Sequence, residues 1–173
     1  AGSAAADEHI ADIRQGTNLS AALAPGGTTL VVDLLERLWS LPATGGGAVP
    51  LTPEGEKARN PRFSPDGGRV VYQQRNGTQW DLWLLDMATG EQRSLTTSTY
   101  DEREPDFTAD GRAVVFASNR TGHYCLWAIT LDGSAAAVLV QDLTNADGLA
   151  KVAVFAATGN AAPVLVAADL DAS

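Results

Sequence analysis

The residue types that most often perform catalysis are scarce in this chain. Its 173 residues include two histidines, His9 and His123, and one cysteine, Cys125. Neither histidine stands at the His-x-His or His-Glu-x-x-His spacing of a metal centre, and a lone cysteine can form neither a cysteine zinc site nor an intrachain disulfide. No Gly-x-Ser-x-Gly motif supplies the nucleophile of a serine hydrolase. We therefore predict that this chain is not an enzyme by itself and has no cofactor.

The densest polar stretch is residues 100–106, Tyr-Asp-Glu-Arg-Glu-Pro-Asp. Its carboxylates could hold a calcium ion or a basic peptide, because both prefer clustered oxygen atoms. Calcium loops usually alternate Asp or Asn and include a glycine, and this stretch does not. We interpret it first as a solvated connecting loop, with calcium as the weaker alternative.

The overall charge restricts the class of partner. The formal net charge is −9 and the isoelectric point is near 4.5. A nucleic acid would find no basic surface to replace its counterions, and an anionic membrane would repel the chain. No apolar run is long enough to span a bilayer. These features favour a protein or peptide partner and exclude nucleic acid and membrane insertion from the prediction.

A Leu-Trp pair recurs at a fixed interval and shows how the chain is organised. It stands at 38–39, 82–83 and 126–127, so each interval is 44 residues. Each pair lies within a group of short strand-like segments that are separated by turn signals such as Asn76-Gly77. Periods of this length are typical of solenoids, arrays and propellers. One large ring per repeat is best explained as packing between neighbouring units, so Trp39, Trp83 and Trp127 are predicted to be structural.

Four antiparallel strands in 44 residues correspond to one blade of a β-propeller. The predicted fold is therefore all-β, with blades at about 18–52, 58–97 and 101–141 and a partial fourth blade at 150–173. Residues 10–173 form this propeller segment, and residues 1–9 are predicted to be a flexible lead-in without the features of an intact signal peptide. A β-sandwich or barrel with evenly spaced strands is the competing architecture.

The repeat resembles that of the TolB-like propellers. Residues 63–67 (Phe-Ser-Pro-Asp-Gly), 81–83 (Asp-Leu-Trp) and 95–96 (Leu-Thr) carry the resemblance in the second repeat, and residues 106–111 carry it in the third. Cys125 departs from the pattern because Asp81 stands at the equivalent position. The resemblance implies a periplasmic or extracellular location, and a role either as a protein-interaction module or in front of a hydrolase domain. The opening of the chain is most similar to propellers that precede amidohydrolases.

Alignment of the turns places three polar residues in one slot, just before the first strand of each repeat. These residues are Ser20, Asn60 and Glu104. Together with Asp101 and Glu102 of the polar stretch, they are the candidates to line the mouth of the central channel.

The number of repeats leaves the ring open. Propellers usually have four to eight blades, and about three and a half are found here. We expect either a piece of a longer chain or a homodimer in which two arcs complete the ring. The predicted function is a non-catalytic propeller that binds a protein or peptide. The alternative is an accessory, substrate-gating propeller of an extracytoplasmic amidohydrolase or serine peptidase.

Overall fold

The computed structural model describes residues 19–132 and five further backbone strands at 136–140, 143–144, 150–151, 153–156 and 164–167. The lead-in at residues 1–9 and the weak strand pattern at 10–17 lie outside the described residues. Within them the fold is all-β, as predicted, and contains no helix. No helix in this part of the chain could therefore cross a membrane.

The strands form three four-stranded antiparallel sheets, in each of which chain neighbours are also sheet neighbours. The first sheet contains β1 (Ala21–Leu23), β2 (Thr29–Leu34), β3 (Arg37–Pro42) and β4 (Val49–Pro50). The second contains β5 (Ala58–Phe63), β6 (Arg69–Asn76), β7 (Gln79–Asp86) and β8 (Gln92–Ser94). The third contains β9 (Glu102–Phe107), β10 (Ala113–Ser118), β11 (Cys125–Thr130) and β12 (Ala136–Val140).

Two strand pairs follow the third sheet. They are β13 (Leu143–Thr144) with β14 (Ala150–Lys151), and β15 (Ala153–Ala156) with β16 (Val164–Ala167). The three sheets are propeller blades, and the described strands do not close a ring. The predicted propeller fold is thus confirmed, together with its incomplete ring.

The core of the molecule lies between neighbouring blades, and the Leu-Trp pair contributes to both sides. Leu82 is buried against the third blade, whereas the next residue, Trp83, packs on the side of the first blade. This follows from the strand geometry, in which successive side chains point to opposite faces. Each fully buried large side chain contributes about 1.5–3 kcal/mol to stability. The space between blades one and two is filled by Val31, Leu38, Ala58, Val70, Tyr72 and Leu85, and the space between blades two and three by Val71, Leu82, Leu84, Leu95, Val114 and Phe116.

The turn that joins the first two strands of a blade also touches the preceding blade. Gly67 has a φ angle of +72°, and a Cβ atom added to it would lie 3.4 Å from Cδ of Pro25. Gly111, with φ of +68°, is placed in the same way, 3.3 Å from Cδ of Pro65. The left-handed backbone favours glycine, and the proline of the preceding turn leaves it little room. The proline and glycine of the motif therefore align consecutive blades.

Candidate binding site on the inner strands

The first strands of the three blades form one continuous surface. Strand β5 packs beside β1 on one side and β9 on the other, which is the arrangement that lines the central channel of a propeller. Two clefts run along these strands. The longer one extends from residues 19–23 across 62–65 to 106–109, and the second is lined by Asn60, Arg62, Glu104, Pro105 and Asp106.

A backbone bulge shapes this surface at the same point of β5 and β9. Asn60 and Glu104 each have a φ angle of +52°, and the pairing with the second strand shifts at both positions. Each is followed by a buried proline, Pro61 or Pro105. Proline has no N–H group, so it leaves no unsatisfied donor where the ladder is interrupted. Left-handed non-glycine residues are costly and need support from their surroundings.

That support comes from a polar side chain on the second strand of the preceding blade. The buried carboxylate of Asp33 accepts hydrogen bonds from the backbone N–H groups of Ser20 (2.7 Å) and Asn60 (2.8 Å). Gln73 repeats this role one blade later. Its Oε1 accepts hydrogen bonds from the side-chain amide of Asn60 (2.6 Å) and from the backbone N–H of Glu104 (3.2 Å). Ser20 precedes β1 as predicted, whereas Asn60 and Glu104 lie within β5 and β9, because the bulge occurs after each strand has begun. The backbone N–H groups of Asn60 and Glu104 connect each blade to the preceding one.

Asp101 lies at the end of the inner strands, where it joins three segments. Its carboxylate accepts hydrogen bonds from the backbone N–H of Trp80 (2.9 Å) and the hydroxyl of Tyr124 (2.7 Å), and it pairs with Arg103. Burial raises the pKa of Asp101, but the hydrogen bonds from Tyr124, Arg103 and Trp80 outweigh it and leave the pKa below the ordinary value. Asp101 is thus an ionised anchor for the connection between blades two and three.

Glu102 occupies a different environment from the one expected of a channel-mouth residue. Its side chain has no exposed surface, and it forms an ion pair with Arg120 and accepts a hydrogen bond from Ser98 (2.9 Å). It is therefore withdrawn from the surface where a partner would bind. Glu104, two residues later, is exposed and lines the cleft.

Comparison with known proteins identifies the family of this arrangement. The TolB β-propeller domain model matches residues 36–158, which is more than half of the chain. The chain belongs to the TolB β-propeller family. No curated protein matches the sequence of this TolB-family chain.

Several solved structures share the fold. The putative TolB from Agrobacterium tumefaciens is 24% identical, with a TM-score of 0.63 over 80% of this chain and 54% of that one. TolB from Acinetobacter baumannii is 18% identical, with a TM-score of 0.56 over 86% and 43%. The tricorn protease is 19% identical, with a TM-score of 0.54 over 74% of this chain and 14% of that one. The chain thus spans about half the length of the TolB structures, and at these identities the similarity shows the fold alone.

The third blade of this TolB-family chain places its buried carboxylate on another strand. In the second blade, Asp81 is buried on β7, accepts a hydrogen bond from Asn76 (3.0 Å), and has its pKa raised mainly by burial. Cys125 is the equivalent residue on β11. It pairs across the sheet with Ser118, which in turn pairs with the buried Glu102. The buried carboxylate of the third blade, Glu102, thus lies on the inner strand, two strands away from Cys125.

The three repeated tryptophans lie away from the two clefts. Trp83 and Trp127 are half-buried and pack against the cores between blades. The indole N–H of Trp39 donates a hydrogen bond to the carbonyl of Leu34 (3.2 Å), and the guanidinium of Arg37 lies 5.2 Å from the centre of its ring.

Sequence reasoning missed the two residues that fasten the blades, Asp33 and Gln73. They lie five and nine residues before the leucine of the repeated pair, so a fixed interval does not align them. The strand pairing does, because Asp33 lies opposite Leu38 and Gln73 lies opposite Leu82. Counting back from the hairpin turn by as many residues as lie between the turn and the leucine would have found both, although the second blade's hairpin is longer.

Proposed function

We propose that this TolB-family chain is a non-catalytic propeller module that binds a protein or peptide along its inner strands. The observation that carries the proposal is the surface of β1, β5 and β9, where Glu104 and Asp106 are exposed beside the half-buried Arg62. The backbone under these side chains is fixed by Asp33 and Gln73. A surface that is already ordered costs less entropy when it binds a partner.

The charges of the surface define the chemistry of the partner. Nη1 of Arg62 donates hydrogen bonds to the Pro61 carbonyl (2.9 Å) and the Ser20 hydroxyl (3.3 Å), so this nitrogen is engaged within the chain. Glu104 and Asp106 form no ion pair with a described residue. A segment with lysine or arginine residues complements them, and complementary charges increase both specificity and association rate. The proposal includes a periplasmic or extracellular location, as the family resemblance implies, and no requirement for calcium.

Selection from a displayed peptide library provides the test. Peptides selected on the chain should be basic, and their affinity should fall about tenfold or more for the Glu104→Lys, Asp106→Lys double variant. The Glu91→Lys variant is the control, because Glu91 is exposed near the turn after β7 and does not line the clefts. Selected peptides that bind the double variant as tightly as the unchanged chain would place the binding surface elsewhere.

An accessory propeller of an extracytoplasmic hydrolase is the second candidate. It is supported by the fold shared with the tricorn protease, of which this chain covers only 14%. The parent reading frame discriminates between the two candidates. A Gly-x-Ser-x-Gly or His-x-His motif in a following domain would support the hydrolase, and the propeller would then admit substrate.

Completion of the ring by a second copy has its own test. Light scattering should give about twice the chain mass of 18.0 kDa if two arcs pair in solution. A mass equal to one chain at all concentrations would contradict the dimer and leave the binding proposal intact.

A further inference from the structure

Three arginines lie near the end of the inner strands, two of them over Trp80 and the third, Arg103, over the Tyr124 ring at 5.4 Å. The guanidinium of Arg59 lies 3.8 Å from the centre of the Trp80 ring, and that of Arg75 lies 5.8 Å from it. Arg103 is close enough that its charge is the largest influence after burial in lowering the pKa of Arg59. Such a concentration of positive charge is unexpected in a chain with a net charge of −9. We call Arg59, Arg75, Arg103 and Trp80 the arginine cluster.

The carboxylates near the cluster are already engaged. Asp33 and Asp101 both act on Arg59 electrostatically. Asp33, however, accepts hydrogen bonds from the backbone N–H groups of Ser20 and Asn60. Asp101 accepts hydrogen bonds from the backbone N–H of Trp80 and the hydroxyl of Tyr124. Neither forms an ion pair with Arg59 in the described part of the chain. The charge of Arg59 is thus opposed by two arginines and neutralised by no dedicated partner.

The guanidinium groups also retain free donors. The Nε atoms of Arg59 and Arg103 are buried and donate to no described residue. Neither Nη group of Arg59 donates a hydrogen bond within the described residues, and neither is among the fully buried unpaired atoms, so each retains some exposed surface. Arg103 uses one Nη group on Asp101 and keeps the other. An arginine held flat on an aromatic ring keeps its in-plane N–H groups available for a carboxylate.

The cluster adjoins the proposed binding surface. Arg59 directly precedes Asn60, and Arg103 directly precedes Glu104, and both of these residues line the inner cleft. A partner that lies along β5 and β9 would therefore reach the cluster at the end of the strands. The cluster is basic, whereas the exposed side chains of the cleft, Glu104 and Asp106, are acidic, so the two ends of the site differ in the sign of their charge.

We propose that Arg59, which lies over Trp80, and Arg103, which lies over Tyr124, form a carboxylate-binding site that receives an acidic group of the partner. The inference rests on the proposed function and adds the direction in which the partner binds. The partner presents basic residues to Glu104 and Asp106 and a carboxylate to the cluster. Guanidinium groups bind carboxylates through paired, charge-assisted hydrogen bonds. A single negative charge suits the site better than a dianion, because the surrounding protein is acidic.

Small probes test the site without knowledge of the partner. N-acetyl-glutamic acid α-amide carries only a side-chain carboxylate, N-acetyl-alanine carries only a terminal carboxylate, and N-acetyl-alanine amide is the neutral control. Each is titrated at millimolar concentration into the full chain while the arginine Nε–H and tryptophan indole signals are followed by nuclear magnetic resonance. The Arg59→Gln and Arg103→Gln variants each lose one arginine Nε–H signal, which assigns the signals of these two residues. At least one carboxylate should shift these signals in a saturable way, and the neutral control should not.

The variants provide the decisive comparison. Each glutamine substitution should weaken binding of the carboxylate probe by about tenfold or more, whereas Arg112→Gln should change it less than about twofold. Arg112 follows the turn at the far end of β9, so its substitution removes the same charge away from the cluster. Melting temperatures of all three variants report whether a loss of binding is only a loss of folding.

Several outcomes would overturn the inference. They are no saturable shift with either carboxylate, equal weakening in the Arg112 variant, or inorganic phosphate binding more tightly than both carboxylates. The proposed function is judged separately, because selected basic peptides that depend on Glu104 and Asp106 would support it even if the cluster bound no carboxylate. Whichever carboxylate binds more tightly identifies the partner's group as a side chain or a terminus.

Discussion

Replacement of Asp33 by asparagine should loosen the first blade from the second. The carboxylate is 4% exposed and accepts two backbone hydrogen bonds, from Ser20 at 2.7 Å and from Asn60 at 2.8 Å. Asparagine keeps one acceptor oxygen and turns an NH2 group toward the other backbone N–H. A hydrogen bond to a charged group contributes about 1.5–3 kcal/mol, and an opposed buried donor adds a further penalty. The free energy of unfolding should therefore fall by about 2–4 kcal/mol, which is a large part of the roughly 5–15 kcal/mol of a typical domain.

Urea unfolding followed by circular dichroism measures this loss, and hydrogen exchange locates it. The amide protons of Ser20 and Asn60 should exchange much faster in the variant, because both lose a charged hydrogen-bond acceptor and one of them faces an NH2 group instead. Glu91→Gln is the matched control, since it also converts a carboxylate to an amide and Glu91 is exposed without a described side-chain partner. A change below about 0.5 kcal/mol, or unchanged exchange at both amides, would refute the role assigned to Asp33.

Three further predictions concern strain, a buried ion pair and pH. Leu35 is 74% exposed and has a φ angle of +54°, a left-handed conformation that asparagine adopts more readily than leucine. Leu35→Asn should therefore stabilise the chain by about 0.5–1 kcal/mol and raise the melting temperature. An unchanged or lower melting temperature would contradict the strain. Arg120→Gln leaves the buried Glu102 unpaired and should cost about 3–5 kcal/mol, and the added Glu102→Gln change should recover part of that loss in a double-mutant cycle. The pKa of Asp101 in the folded chain lies below its ordinary value of 3.8, so its stabilising effect is complete above that value and is lost as the pH falls through the folded pKa. Acid titration of unfolding should accordingly show a shallower decline below about pH 4 for Asp101→Asn.

The blades could be predicted because their signals are local. Short strand-like segments, Asn76-Gly77 and the turn ending at Gly67 each fix structure within a few residues, and the fixed interval joins them into a repeat. The slot of Ser20, Asn60 and Glu104 was found by the same means. The burial of Glu102 was not, because its ion pair is with Arg120, 18 residues away, and forms only when the blade is assembled.

The residues that connect the blades, Asp33 and Gln73, could not be found by searching for a repeat. Asp33 and Gln73 occupy one position in the fold but differ in residue type and in distance from the repeated pair, since either an aspartate or a glutamine oxygen can accept the same backbone N–H.

The hydrogen bonds that connect neighbouring blades involve the backbone of the inner strands more than their side chains. The N–H of Glu104 is bound to Gln73 while its carboxylate stays exposed in the cleft. The side chain can therefore change without loss of the contact that couples the blades. Asn60 is the exception, because its side-chain amide also binds Gln73. Substitutions at Glu104 and Asp106 should accordingly alter the choice of partner, whereas substitutions at Asn60 should alter stability as well. This separation allows one propeller scaffold to present different binding surfaces on the same inner strands.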